Sequence, residues 1–541
     1  MSSTEHGARK KPWRRNRKRT VKAYALAATL SVGAMFAAPP ASATGPSPAA
    51  PPALTIDSPT LVFIQGRNNI SLNSTEPRVS WKISDADGRP AASGTAVIDQ
   101  HRGSIDVSGL GPGYYRLQAT ATANGATTKR DTNFAVLTPT PRDALRPSSP
   151  FGVNTHFAFR SWDIGYEKPL LDTIAQVGFG HMRESMEWDS LEKAKGVYSV
   201  PAEYEDIVVT AKRKGITPLL IAAFHNPLYD HNVTPSSTTG LRAFAKFQGW
   251  WLSHFRRLGV TRDIETYNEY YGGFNTSPCK GPVCQYRLIK PAYEQTKKDN
   301  PNSNVVVDVS SKPEWHTELF KSGGLSAMDT VNVHIYACKD GPEGVIDGKI
   351  DTLRQNIRKY NHGEDKPIWI TETGCTTAAG TGGNDAKQAD YVIRAETLAL
   401  ASGVEQVYLY DMLNDGTNPN DKEQNFGLLR KARNGVTALA PKPGLVSQAV
   451  LIRMLTGLKP SGRDAVAQPS YSYRFGTGND TTRVLWSTGT GRVNVAASGP
   501  VKLTDQFGRA STLNPTNGRV TLPLTQSPVF ITGPVKAVTD G

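Results

Sequence analysis

At 541 residues, with a hydrophobic fraction of 38%, the chain has length for about three ordinary domains and enough apolar residues to pack their cores, which excludes disorder as the default. The formal net charge of +14 argues weakly for a nucleic-acid partner, because residues 1–43 hold nine Lys/Arg against one acid, or +8, and leave 14 − 8 = +6 for the rest.

The basic run "ARKKPWRRNRKRTVK" precedes an apolar stretch, "AYALAATLSVGAMFAA", and small residues at Ala41 and Ala43. This order predicts a secretory signal over 1–43, cleaved near Ala43. Arg14 and Arg15 lack the usual twin-arginine flanks, which favours the general secretory route. As an anchor the apolar stretch falls short of the roughly 20 residues that span a bilayer. Secretion is therefore expected, to the extracellular space or the cell wall, with no membrane segment in the mature form.

A Pro/Ala-rich linker is expected over 44–53. Over 54–140 short alternating runs such as "RVSWKIS", "GSIDVS" and "GYYRLQATATA", broken by "DADGRP" and "GLGPG", predict an Ig-like β-sandwich. Over 150–457 eight β-prone runs, most of them separated by helical patterns, follow in order: "FGVNTHF", "GHMRES", "TPLLIAAF", "IETYNE", "NVVVDVS", "TVNVHIY", "PIWITET" and "QVYLYDM". Eight βα repeats predict an α/β fold, a (β/α)8 TIM barrel, whose working residues sit at the carboxyl ends of the strands. An open doubly wound sheet is the alternative, but no Gly-rich phosphate turn follows the first strand. Over 458–541 "SYSYRFG", "TRVLWST" and "RVNVAAS" predict a second β-domain.

Two strand ends carry carboxylates. Glu269 closes the fourth strand and Glu372 the seventh. In the seventh, a period of two puts Ile368, Ile370 and Glu372 on one side, taken here as the barrel interior. An inward carboxylate is costly unless it has a partner or a use. Two carboxylates facing each other across a barrel mouth are what glycoside hydrolysis needs, one to protonate the departing oxygen and one to attack or assist at the anomeric carbon. The cysteines suit an exported chain: Cys279 and Cys284 are close enough to staple a loop, and Cys338 and Cys375 follow neighbouring strands at similar height. The alternative for the second pair is two unpaired buried thiols. No CxxC or HExxH occurs to support zinc.

"YNE", "VHIY" and "TETG" at the ends of strands four, six and seven together resemble the clan A glycoside hydrolases. "GHMRESMEWDSLEKAKGVYSV" is similar to that clan's second-strand segment, "LLIAAFHNPLYD" to its third-strand loop, and "NFGLLR" with "PKPG" to the run into its last helix. Within the clan the chain looks closest to family 39 and to bacterial endoglycosidases acting on exopolysaccharides. The resemblance implies Glu269 as acid/base and Glu372 as nucleophile. Asn268 would bind the sugar 2-hydroxyl, Tyr336 and Arg183 would hold Glu372, and His334 would orient polar groups on the floor. Trp188, His225, Asn226 and Tyr229 would line the site. Where the family often has a tryptophan at the end of strand eight, this chain has Tyr410 and Asp411.

Bland readings stand beside these. Arg183 could instead pair with Glu184 or Glu187, and His334 could be a satisfied core residue. Trp188, Tyr229 and Tyr410 are either packing or sugar platforms. "GWW" at 249–251 reads as helix core, and Trp315 as a candidate platform. The expectation is a secreted retaining glycosidase, monomeric, without metal or organic cofactor, acting on a polysaccharide or oligosaccharide. Its rival is a barrel that binds carbohydrate at the cell wall without cutting it.

Overall fold

The computed structural model describes residues 53–541 apart from 124, 160–164 and 434. The expected signal, and all but the last residue of the linker, lie outside the described residues.

At the centre is a closed barrel of eight parallel strands. They are β1 (Phe151–Asn154), β2 (His181–Ser185), β3 (Thr217–Ala222), β4 (Asp263–Thr266), β5 (Asn304–Asp308), β6 (Thr330–His334), β7 (Ile368–Thr373) and β8 (Gln406–Leu409). One long helix follows each: α1 (Glu167–Val177), α2 (Ala202–Arg213), α3 (Thr238–Arg257), α4 (Pro282–Asp299), α5 (Pro313–Lys321), α6 (Ile346–Tyr360), α7 (Asp385–Ala401) and α8 (Pro443–Leu455). The chain is thus a (β/α)8 barrel with flanking sheets, as the repeat pattern predicts. In α1 the buried residues Leu170, Leu171, Ile174 and Val177 make one face, and Gly178, at φ 107°, ends the helix in the left-handed region. "GWW" falls in α3, where Trp251 is fully buried.

The strands sort into two faces. Val153, Met182, Ile264, Val307, Val333, Ile370 and Val407 join the cluster shared with the helices. Leu219, Val306, Trp369 and Tyr408 pack inside the barrel floor. Gly152 is required there, since a Cβ would sit 2.4 Å from the Tyr408 ring. The interior face of β7 is therefore Trp369 and Thr371, not Ile368 and Ile370. The expected alternation had the wrong phase. The register of β7 shifts between Ile370 and Glu372 against β6, and between Ile370 and Thr373 against β8, and this irregularity turns Glu372 toward the axis.

Before the barrel, a three-stranded and a five-stranded sheet enclose their own core. After it come a six-stranded and a three-stranded sheet. Cys279 bonds Cys284, and Cys338 bonds Cys375. Among the described residues no helix is long and apolar enough to cross a membrane.

Candidate active site

Above the apolar floor the barrel interior is polar and closely connected. Arg183 on β2 is 3% exposed. Its Nε and Nη2 donate to the two oxygens of Glu265 on β4 at 2.7 and 2.8 Å, and Nη1 donates to Glu372 Oε1 at 2.7 Å and Asn154 Oδ1 at 2.9 Å. Nη2 also reaches Asn268 Oδ1 at 2.8 Å. Asn154 and Asn332 tie this layer to the strands: the first donates to the Thr371 and Leu409 carbonyls, and the second donates to Glu265 and accepts from Thr371 N. Buried charge of this kind persists only when each group is paired. Glu184, the alternative partner of Arg183, is instead bonded by Thr155, Phe157 and Ala158.

The strand expected to run through Glu269 stops at Thr266. Tyr267 (φ 66°) and Glu269 (φ 43°) both adopt left-handed backbone, strained for side chains of this size. Two such reversals within three residues let Asn268 and Glu269 face the same cavity, where strict alternation would part them. Tyr267 is held by Thr234 Oγ1 and the Phe274 carbonyl, which secures the turn.

Glu372 accepts Arg183 on one oxygen and the Tyr336 hydroxyl, at 2.7 Å, on the other. Glu269 Oε1 lies 3.1 Å from His334 Nδ1 and accepts the Tyr271 hydroxyl at 3.4 Å. One oxygen of each glutamate and a ring nitrogen of His334 all lie within 4.8 Å of one another. Those three groups have the donors of a cation site, but Arg183 already brings a positive charge to Glu372 Oε1, and His334 Nδ1 already faces both glutamates. His156, Asp411 and Asp415 form a second group of cation-capable donors at the end of β8.

Three predicted wall residues are placed otherwise. Trp188 is completely buried between the rings of Tyr229 (5.2 Å) and Phe247 (5.4 Å), with Nε1 bonded to Glu192. It offers no face to a sugar. Asn226 is 1% exposed and spends its amide on the Trp188 and Glu192 carbonyls and on Leu228 N, so it braces the loop after β3 rather than lining the site. Tyr229 donates to Glu192 as well. His225, half-buried, follows β3 in the same loop. Tyr410 does stand at the mouth, edge-on to Tyr336 (6.3 Å) and Phe426 (5.3 Å). Trp315 is half-buried and donates to Gln285.

Sequence reasoning missed Glu265, Asn154, Asn332 and Thr371, and also Asp308, whose Oδ2 lies 3.6 Å from His334 Nδ1. Glu265 had a signal: a charge inside the short apolar-flanked "DIET" needs a buried counter-charge, and Arg183 is the arginine within the eight barrel strands. Asn332 and Thr371 had none, being ordinary strand residues until the phase of the strands is known.

A family profile described as glycosyl hydrolase catalytic core matches residues 277–440. Among solved structures, a family 39 glycoside hydrolase from the gut symbiont Bacteroides cellulosilyticus WH2 superposes with a TM-score of 0.74 at 23% identity, over 89% of this chain and all of that one. A family 39 β-xylosidase from Caulobacter crescentus gives 0.52 at 16% identity, over 73% and 97% of the two chains, and a family 39 enzyme from Xanthomonas axonopodis pv. citri gives 0.51 at 14%, over 73% and 95%. No curated protein matches the sequence.

Proposed function

We propose that this glycosidase, a clan A barrel with the fold of the family 39 enzymes, is a secreted retaining enzyme that works by double displacement on a polysaccharide or oligosaccharide. The observation that carries the reading is the approach of Glu269 and Glu372, whose nearest oxygens lie within 4.8 Å. Retaining enzymes place their carboxyl groups about 5 to 5.5 Å apart, and inverting ones roughly 6.5 to 9.5 Å, to admit a water.

In the first step Glu372 attacks the anomeric carbon while Glu269 gives its proton to the leaving oxygen, so the C–O bond breaks and a glycosyl ester forms. In the second, water adds to the anomeric carbon, Glu269 takes its proton, and Glu372 leaves as carboxylate. Glu372 suits the nucleophile because both its oxygens already accept hydrogen bonds, from Arg183 and Tyr336, which fix the orientation of the carboxyl group. Asn268 gives its carbonyl end to Arg183, leaving the amide nitrogen as the end to meet a sugar hydroxyl. The two disulfides and the basic, then apolar, start of the sequence support export.

The test is Glu372→Ala assayed for reducing ends released from plant, microbial and capsular glycans. Turnover is expected to vanish, by more than about a thousandfold, as for loss of a covalent nucleophile. Activity within about tenfold of the parent on a cleaved glycan rejects the assignment. Binding without release from any glycan by the intact chain favours the non-catalytic rival.

A further inference from the structure

Beneath the two glutamates lies a third carboxyl that this reaction does not use. Asp308 closes β5 and is 2% exposed. Its Oδ1 accepts Ser310 N at 3.0 Å, and its Oδ2 faces His334 Nδ1 at 3.6 Å, with Tyr271 beside it. The same ring nitrogen is 3.1 Å from Glu269 Oε1 and 3.4 Å from Glu372 Oε2. Three carboxyl oxygens around one nitrogen call for a proton on that nitrogen.

The other side of the ring calls for one too. Nε2 lies 3.1 Å from Thr371 Oγ1, and the Thr371 hydroxyl donates to Glu265 Oε1 at 3.4 Å. A hydroxyl has a single proton to give, so Nε2 is the donor to it. With hydrogen on both nitrogens the ring is an imidazolium.

We propose that Asp308 is a positioning residue that keeps His334 cationic, and that this buried cation, seated between Glu269 and Glu372, holds the two glutamates at their working separation. The charged and titratable groups facing His334 are Arg183 from β2, Glu265 from β4, Glu269 and Tyr271 from the loop after it, Asp308 from β5, Tyr336 beyond β6 and Glu372 from β7. Burial drives the ring toward its neutral form, as does Arg183. The charges of Asp308 and Glu372 and the bond to Glu269 outweigh them and hold His334 up to about 9. Burial likewise pushes Asp308 up to about 7, against the pull of His334 first and of the Ser310 amide second, so His334 and Asp308 each favour the charged form of the other.

The proposal rests on Glu269 and Glu372 being the catalytic pair, but its test reads a ring proton and not turnover, so the two fail independently. The full chain is labelled with 15N-histidine and titrated by NMR, and His334→Gln identifies the signal. The ring is expected to remain protonated through pH 8. Asp308→Asn is expected to lower its midpoint by about one pH unit or more, a roughly tenfold loss of proton affinity, and Asp308→Glu, which keeps the charge, to recover most of it. A neutral ring in the parent chain at pH 8 overturns the proposal, and that measurement needs no variant to fold. A midpoint in Asp308→Asn within about 0.3 unit of the parent overturns it as well.

Discussion

Arg183 does at one position what the barrel needs at two. It neutralises Glu265 in the interior and holds Glu372 at the rim, so its removal strands two buried carboxylates. Arg183→Met is expected to cost about 3 to 5 kcal/mol, the range for breaking a buried pair, read by urea unfolding. Arg183→Lys keeps the charge but not the fork that reaches Glu265, Asn154, Asn268 and Glu372 together. It should recover much of the stability while kcat/KM stays at least about tenfold down, as when orientation alone is lost. Equal stability in the two variants would show that the charge is not what matters. At this scale the placement of Glu269 and Glu372 at the barrel mouth was legible in the sequence, because a charge at a strand end is costly and calls for a use, whereas Arg183 was marked only by the resemblance of its segment. Trp188 was misread for a physical reason: an aromatic near a strand end has the same sequence signature whether its faces meet a sugar or, as here, Tyr229 and Phe247.

Among the elements, the count and order of strands and helices followed from hydrophobic periodicity, whereas the phase of β7 did not. A period of two fixes which residues share a face but not which face is inside, and an irregularity after Ile370 resets the alternation just before the residue of interest. The packing of α7 on α8 holds another charge the pattern hides. Glu396 on α7 is completely buried, with Gln448 of α8 donating to one oxygen at 2.9 Å. Burial pushes its carboxyl up from 4.5 to about 8, against the pull of Gln448. A folded-state value above the unfolded one means that protonation stabilises the fold. That stability is complete below pH about 4.5 and is lost as pH rises through about 8. Glutamine does not titrate, so Glu396→Gln should gain on the parent as pH rises, by up to about 1.4 kcal/mol per unit and a few kcal/mol in all. Chemical denaturation at pH 5 and pH 8 checks it, and a difference between the two proteins that is the same at both pH values refutes it.

For the whole molecule, the question is whether the flanking sheets are passengers. Their patterns gave a barrel between two β-rich segments, but nothing in the sequence joined them, since charged residues such as Glu343 and Arg394 carry no sequence sign of their partners. In the structure the core of the barrel runs without a break into both neighbours. Val62, Tyr114 and Leu137 from before the barrel, and Tyr473, Val484, Trp486 and Phe530 from after it, belong to the same buried cluster as the barrel strands and helices. Trp486 lies between Tyr471 and Tyr473 and donates to Glu343 Oε1 at 2.8 Å; that carboxylate also accepts Nε and Nη2 of Arg394 on α7, each at 2.6 Å. From the other side Arg453 of α8 donates to the Thr138 carbonyl, and Arg509 reaches Asp87, joining the two β-rich segments directly.

Chains with several domains often unfold in stages, because interfaces between domains are usually smaller and wetter than the cores within them. A core shared across the boundaries removes that independence. Scanning calorimetry is therefore expected to give one endotherm for barrel and flanking sheets together, where two well-separated transitions would mean that the sheets fold alone. Glu343→Ala, which leaves Arg394 buried without its carboxylate and Trp486 without its acceptor, should lower that single transition as a whole, by an amount equivalent to about 3 to 5 kcal/mol. If it instead split off an early transition, the contact would be local to the third segment. The candidate active site lies downstream of this coupling: Glu343 sits on the stretch between β6 and α6 that also carries Tyr336 and Cys338, and the bridge from Cys338 to Cys375 ties that stretch to the segment just beyond Glu372. Packing of the last sheets against the barrel thus bears on the pair of loops that hold Glu372, and Glu343→Ala is expected to lower kcat/KM along with the transition temperature.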